Sequence, residues 1–160
     1  MRNEIPTALS ILLVSIVVLT GCKKKEPEPT PETEAELTLP AESNPEAVKA
    51  AVEAAKAWLS LIDSGNYAES WEESAEFFRN AVTKEQWEKS TQAFRVPLGK
   101  LLSRELKSTH YTTTAPGAPD GQYVIIQYNS SFENKASAVE TVTPMMDSDG
   151  QWRVSGYYIK

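Results

Sequence analysis

The sequence predicts an α+β domain in which three N-terminal helices pack on one face of a four-stranded antiparallel sheet. Three observations predict it. Apolar residues recur at helical spacing from Val48 to Phe94. Past Pro97 and Gly99 the pattern changes to strand-like runs rich in threonine and β-branched residues. Two turn signatures, Pro116–Gly121 and Asp147–Gly150, punctuate those runs. Helices first and strands afterwards segregate into two layers around one core. A chain of 160 residues suggests one such domain plus appendages.

Residues 1–21 read as a cleaved leader. Arg2 supplies positive charge, which Glu4 weakens, and Ala8 to Leu19 is an apolar run broken only by serines. That run is shorter than the roughly twenty residues a stable membrane-spanning helix needs. Leu19-Thr20-Gly21-Cys22 then resembles the bacterial lipobox. The resemblance implies that the Cys22 thiol receives a diacylglyceryl group, that cleavage falls between Gly21 and Cys22, and that the new amine is acylated. Several acyl chains at roughly 0.8 kcal/mol per buried methylene make such an attachment nearly permanent. Lys23 follows where an aspartate would retain a lipoprotein at the inner membrane. The resemblance therefore implies an outer-membrane address facing the periplasm.

Residues 22–44 read as the lipidated cysteine and a disordered linker. Pro27, Pro29, Pro31 and Pro40 deny it a regular helix, and six glutamates with few large apolar residues leave little to bury. In extended polyproline-like form it reaches about 65 Å. Lys23, Lys24 and Lys25 suit either anionic head groups or plain solvation.

Residues 45–160 read as the globular domain. Ser43 and Glu46 suggest a capping box, and Pro45 suits a first helical turn. Val48, Val52, Ala55, Trp58, Leu59 and Ile62 form the apolar stripe of the first helix, which Asp63-Ser64-Gly65-Asn66 stops. Tyr67, Trp71, Ala75 and Phe78 are expected on one face of a second helix. Thr83 and Gln86 form a second capping box, with Val82 and Trp87 spaced for a hydrophobic staple, and open a third helix. Strands are expected over 101–114, 122–132, 136–146 and 151–159, the last two joined by a hairpin at Asp147–Gly150.

Several segments also resemble a known family. They include Trp58-Leu59-Ser60-Leu61-Ile62-Asp63-Ser64-Gly65-Asn66-Tyr67, Pro97-Leu98-Gly99-Lys100, Pro116-Gly117-Ala118-Pro119-Asp120-Gly121, Phe132-Glu133-Asn134-Lys135 and Trp152-Arg153-Val154-Ser155-Gly156-Tyr157. Together they resemble domain-of-unknown-function family 4019 across residues 46–160. The resemblance implies an exported bacterial lipoprotein with a cystatin-like fold of the nuclear-transport-factor-2 type. It implies no activity and no site.

The chemistry that the residues offer is sparse. A net charge of −6 argues against a nucleic-acid partner. His110 is the only histidine; it lies on a strand without a nucleophile-elbow sequence and reads as solvent-facing or hydrogen-bonded. Cys22 is the only cysteine, so no disulfide forms within the chain. Asp147, Asp149 and Gly150 lack the remaining ligands of a calcium loop and read as a tight turn. Catalytic, metal and cofactor residues are therefore assigned as none. Arg104, Glu140 and Arg153, with Trp71, are carried forward as candidates for a pocket between sheet and helices. Trp58, Trp71, Trp87 and Trp152 are expected chiefly as core anchors. The leading functional expectation is a binding or interaction module held at a membrane by its lipid. Its partners would be an envelope protein, a cell-wall glycan or a small apolar ligand. A pocket enzyme using sheet-lining acids and a passive envelope component are the alternatives.

Overall fold

The computed structural model describes residues 44–160. The leader, the Cys22 acylation and most of the linker lie outside the described residues, as does Ser43. The first helix, α1 (Pro45–Asp63), is capped by Asn44, whose side chain accepts from the Ala47 amide at 3.0 Å. Asn44 thus holds the cap position expected of Ser43, one residue closer to the proline. The inward stripe of α1 mixes Ala47, Ala51 and Ala55 with Trp58, Leu59 and Ile62. The small residues let the helix axis approach the sheet closely. At its end Gly65 takes φ 77°, while the Gly65 and Asn66 amides donate back to Ile62 and Leu61. This pairing satisfies carbonyls that the helix leaves open.

The second expected helix is two helices, so the described residues hold four rather than three. α2 (Tyr67–Glu72) and α3 (Glu76–Ala81) are separated by Ser74 and Ala75, both fully buried. Ala75 is extended, and its amide donates to the Val154 carbonyl at 2.9 Å. The Ser70 carbonyl and Ser74 hydroxyl accept the Trp58 indole N–H at 2.7 and 3.0 Å. The chain leaves helical geometry here because contacts from the sheet and α1 replace its own ladder. α4 (Lys84–Arg95) carries the expected capping box, with both Thr83–Gln86 hydrogen bonds made. A 3-10 turn, Val96–Leu98, follows it.

The strands are β1 (Leu101–Thr112), β2 (Tyr123–Phe132), β3 (Lys135–Met146) and β4 (Trp152–Ile159). They form one antiparallel sheet in sequence order. In β2, Val124, Ile126, Tyr128, Ser130 and Phe132 are buried, the alternation of a strand with one face on a core. Pro144 sits within β3, between β2 and β4, at the register shift after Thr143. A bulge tolerates a residue without an amide proton there. Trp58, Trp87, Val124, Ile126 and Val142 form the main core, with Trp71 and Trp152 packed against its margin. No helix of the described residues is long and apolar enough to cross a membrane.

Candidate functional site

The ends of α1 and α4 and the inward faces of three strands converge on one carboxylate. Glu140, on β3, is fully buried. Its carboxylate accepts from Arg104 Nε at 2.6 Å and Nη2 at 3.0 Å, from the Tyr157 hydroxyl at 2.6 Å and from the Ser130 hydroxyl. Arg104, on β1, stands directly opposite Ser130 on β2, and Tyr128 stands opposite Glu140. The sheet register therefore brings these groups together. The guanidinium of Arg104 also reaches Asp63, the last residue of α1, through Nη1 at 2.6 Å and Nη2 at 3.1 Å. Arg95, in the last turn of α4, donates from Nη2 to Asp63 at 3.1 Å and from Nη1 to the Gly99 carbonyl. Its guanidinium lies 4.6 Å from the centre of the Phe132 ring.

Two arginines and two carboxylates give this cluster no net charge. A carboxylate offers about four lone-pair sites, and Glu140 has four donors on it. Burial works against the charged form of Arg104, yet hydrogen bonds to Asp63 and Glu140 hold its pKa above the usual arginine value. Burial also raises the Tyr157 hydroxyl, and the adjacent Glu140 charge raises it further. Tyr157 is thus kept a neutral donor. The arrangement fits a structural clamp that fastens α1 and α4 to all four strands.

A groove of about 410 Å³ lies beside the clamp, lined by Phe94, Leu98, Lys135, Tyr157, Tyr158, Ile159 and Lys160. Tyr157 belongs to both: its hydroxyl is tied to Glu140 while its ring walls the groove and meets Trp58 edge to face, with centroids 5.3 Å apart. Phe94 faces the same ring at 6.0 Å. The clamp therefore fixes the shape of the groove without placing Glu140 in its lining.

The other two candidates sit elsewhere. Arg153 does not join Glu140, although β3 and β4 are neighbours. The register sets Glu140 against Ile159 and Arg153 against Met145. Arg153 instead grips the hairpin, donating to Asp147 at 2.9 Å and to both Asp149 oxygens at 2.8 and 2.7 Å. Those bonds, with the Gln151 amide, hold the Asp149 carboxyl down to about 2. Arg153 lines a polar groove of about 280 Å³ with Glu72, Glu73, Glu76 and Arg79. Trp71 donates to the Val82 carbonyl at 2.7 Å and ties α2 to the end of α3. His110 is exposed on β1 opposite Ile125. Among the described residues no group of three or more His, Cys, Asp or Glu is arranged to hold a metal ion.

Sequence reasoning missed Asp63, Arg95, Ser130 and Tyr157. Asp63 carried a readable signal. A carboxylate in the last turn of a helix opposes the helix dipole and calls for a cation from outside. Arg95 and Arg104 are those cations.

The fold and the clamp define a small α+β domain with helices on one face of an antiparallel meander. The chain belongs to the family described as "Protein of unknown function (DUF4019)", whose family model matches residues 54–157. The matched stretch holds Asp63, Arg95, Arg104, Ser130, Glu140 and Tyr157. Searches of curated proteins and of solved structures found no match.

Proposed function

We propose that this domain is a non-enzymatic binding module displayed at a bacterial membrane, and that the groove between α4 and the end of β4 is its binding face. The observation that carries the reading is the groove itself, an apolar recess whose Tyr157 wall is locked from behind by the buried Glu140 carboxylate. Preformed recesses of this size with a few polar groups at the rim are the usual form of small-ligand and peptide sites. A pocket enzyme would need an acid with a free lone pair facing substrate, and the four donors on Glu140 argue for a positioning role. The address in this proposal follows the lipobox: cleavage after Gly21, acylation of Cys22, and the linker to residue 44 as tether, with the domain at the outer membrane facing the periplasm. The fold, in the same proposal, is cystatin-like of the nuclear-transport-factor-2 type. Helices preceding a four-stranded meander support it.

Two measurements test the reading. Cys22→Ser moves the protein from the membrane to the soluble fraction; continued retention overturns the lipid anchor. Affinity capture from cross-linked cells is then run with the unaltered protein and with Tyr158→Glu, which places a charge in the groove. A component lost only from the variant supports the groove as binding face. Identical capture by both overturns it.

A further inference from the structure

Among the described residues, four of the five exposed large apolar side chains lie at one end of the domain; the fifth, Leu106, stands midway along β1. Phe94, Val96, Leu102 and Tyr158 are 36, 59, 64 and 47 % exposed. All four belong to one end of the domain, where the 3-10 turn packs on the β2–β3 turn and the end of β4 closes the groove. The contacts that bring these segments together are explicit. The Asn134 amide donates to the Leu98 carbonyl at 2.9 Å, and Lys100 and Glu133 join through a backbone bond of 3.0 Å. Tyr158 lines the groove with Phe94 and Leu98. Scattered singly such residues are ordinary surface; gathered at one end they form a patch.

The charges at that end are cationic. Lys100 and Lys160 are exposed and Lys135 is half-buried at the groove rim. None of the three forms a salt bridge among the described residues. Glu133, an exposed carboxylate at that end, accepts from the Lys100 amide at 2.8 Å and offsets one of the three lysine charges. The other end carries the opposite balance. Around the polar groove Glu72, Glu73, Glu76, Asp147 and Asp149 outnumber Arg79, Arg153 and Lys84, the last of which pairs with Glu72. The domain is therefore charge-polarised along the line from the β3–β4 hairpin to the 3-10 turn.

We propose that the groove end docks on the surface of an anionic lipid bilayer, with the acidic hairpin end directed away from it. The proposal rests on the reading of that end as the binding face, and it names the partner. Exposed aromatic and aliphatic groups enter the interfacial layer while lysines around them meet anionic head groups. An acidic opposite end is repelled by the same surface, which sets orientation as well as affinity. The tether is long enough. The 19 residues of α1 span about 28 Å, and its last residue, Asp63, lies against Arg95 and Arg104 near the groove end. The linker thus joins at the far end of α1, and the contour length of residues 23–44 is more than twice that span.

The test uses the full lipidated chain. Acylation consumes Cys22, so an introduced cysteine is the sole free thiol. An environment-sensitive fluorophore is attached through Leu102→Cys at the groove end or Ser148→Cys at the hairpin. Each protein is reconstituted into vesicles of phosphatidylcholine alone or of phosphatidylcholine and phosphatidylglycerol in equal parts. The expected result is a blue shift, with quenching by spin-labelled lipid, at position 102 only and in the anionic vesicles only. The response weakens as salt is raised. Each lysine near an anionic surface is worth roughly fivefold in partitioning, so Lys135→Gln with Lys160→Gln lowers docking roughly twenty-five-fold. Equal responses at both positions, or no difference between the two lipid mixtures, overturn the proposal. If Tyr158→Glu abolishes capture of a protein partner while position 102 stays silent on vesicles, the groove reading stands and the bilayer proposal falls. Should mass analysis find Cys22 unacylated, that thiol is blocked by Cys22→Ser and flotation of the labelled chain with preformed vesicles applies the same criteria.

Discussion

Two arginines in this domain hold two carboxylates each, and they teach different lessons. Arg104 bridges Glu140 and Asp63 with little of its side chain exposed, joining β1, β3 and α1 across the fold. Arg153 bridges Asp147 and Asp149 at the open end of one hairpin, within six residues of chain. Their bond lengths are alike. Their surroundings differ, and surroundings decide the energy. In the hairpin, water competes for Arg153 and Asp149, though Asp147 is nearly covered, and ordering the side chains offsets much of the gain. At Glu140 no water competes, so removing one partner strands the other in a medium that cannot solvate it. Similar geometry thus yields a local trim in one place and a global fastening in the other.

The largest test of this contrast removes the buried acid. Glu140→Ala is expected to destabilise the domain by about 3–5 kcal/mol, read from the urea midpoint at unchanged slope. Arg104→Met combined with Glu140→Leu should recover much of that loss, because an apolar pair carries no stranded charge. If the double variant is worse than the single, the clamp stabilises by more than charge compensation. Next in size is Tyr157→Phe, which leaves Glu140 one donor short and should cost about 1–2 kcal/mol. It also changes the alkaline limb. The folded state holds the Tyr157 pKa above its usual 10, so its contribution is complete below about pH 10 and is lost as pH rises beyond it. The variant should lose stability less steeply there, as followed by circular dichroism.

Arg153→Ala should change stability by no more than about 1 kcal/mol and leave the groove end untouched. A loss as large as that of Glu140→Ala would erase the contrast. The smallest effect belongs to Asp149→Asn. The folded pKa of Asp149 is lowered from 3.8 to about 2, so its contribution is present above about pH 4 and lost as pH falls toward 2. The variant should lose this small contribution at neutral pH and flatten the shallow acid slope in that interval. Added salt should shrink both hairpin effects and barely alter the clamp.

Much of the fold was legible because its signals are local. The Thr83–Gln86 capping box, the Asp147–Gly150 turn and the alternation of β2 each declare themselves within a few residues. The break at Ser74–Ala75 was not legible, because its cause lies in Val154 and Trp58, distant in sequence. The candidate site divides in the same way. Arg104 and Glu140 were identified as residue types on strands, and register then joined them. Arg153 was placed with Glu140 because their strands are neighbours. Adjacent strands do not make adjacent side chains unless the register agrees. Asp63 and Arg95 stop two different helices, and only the packing of α1 and α4 shows that they meet.

One small feature sets a limit on how this chain can vary. Gly99 turns the chain at φ 76°, and a Cβ there would lie 2.7 Å from the Glu133 carboxylate and 2.9 Å from its Cβ. Any other residue would have to adopt a left-handed backbone and also displace the side chain that caps the Lys100 amide. A side chain at position 99 therefore calls for a prior change at Glu133, whereas Glu133 can be replaced with Gly99 in place.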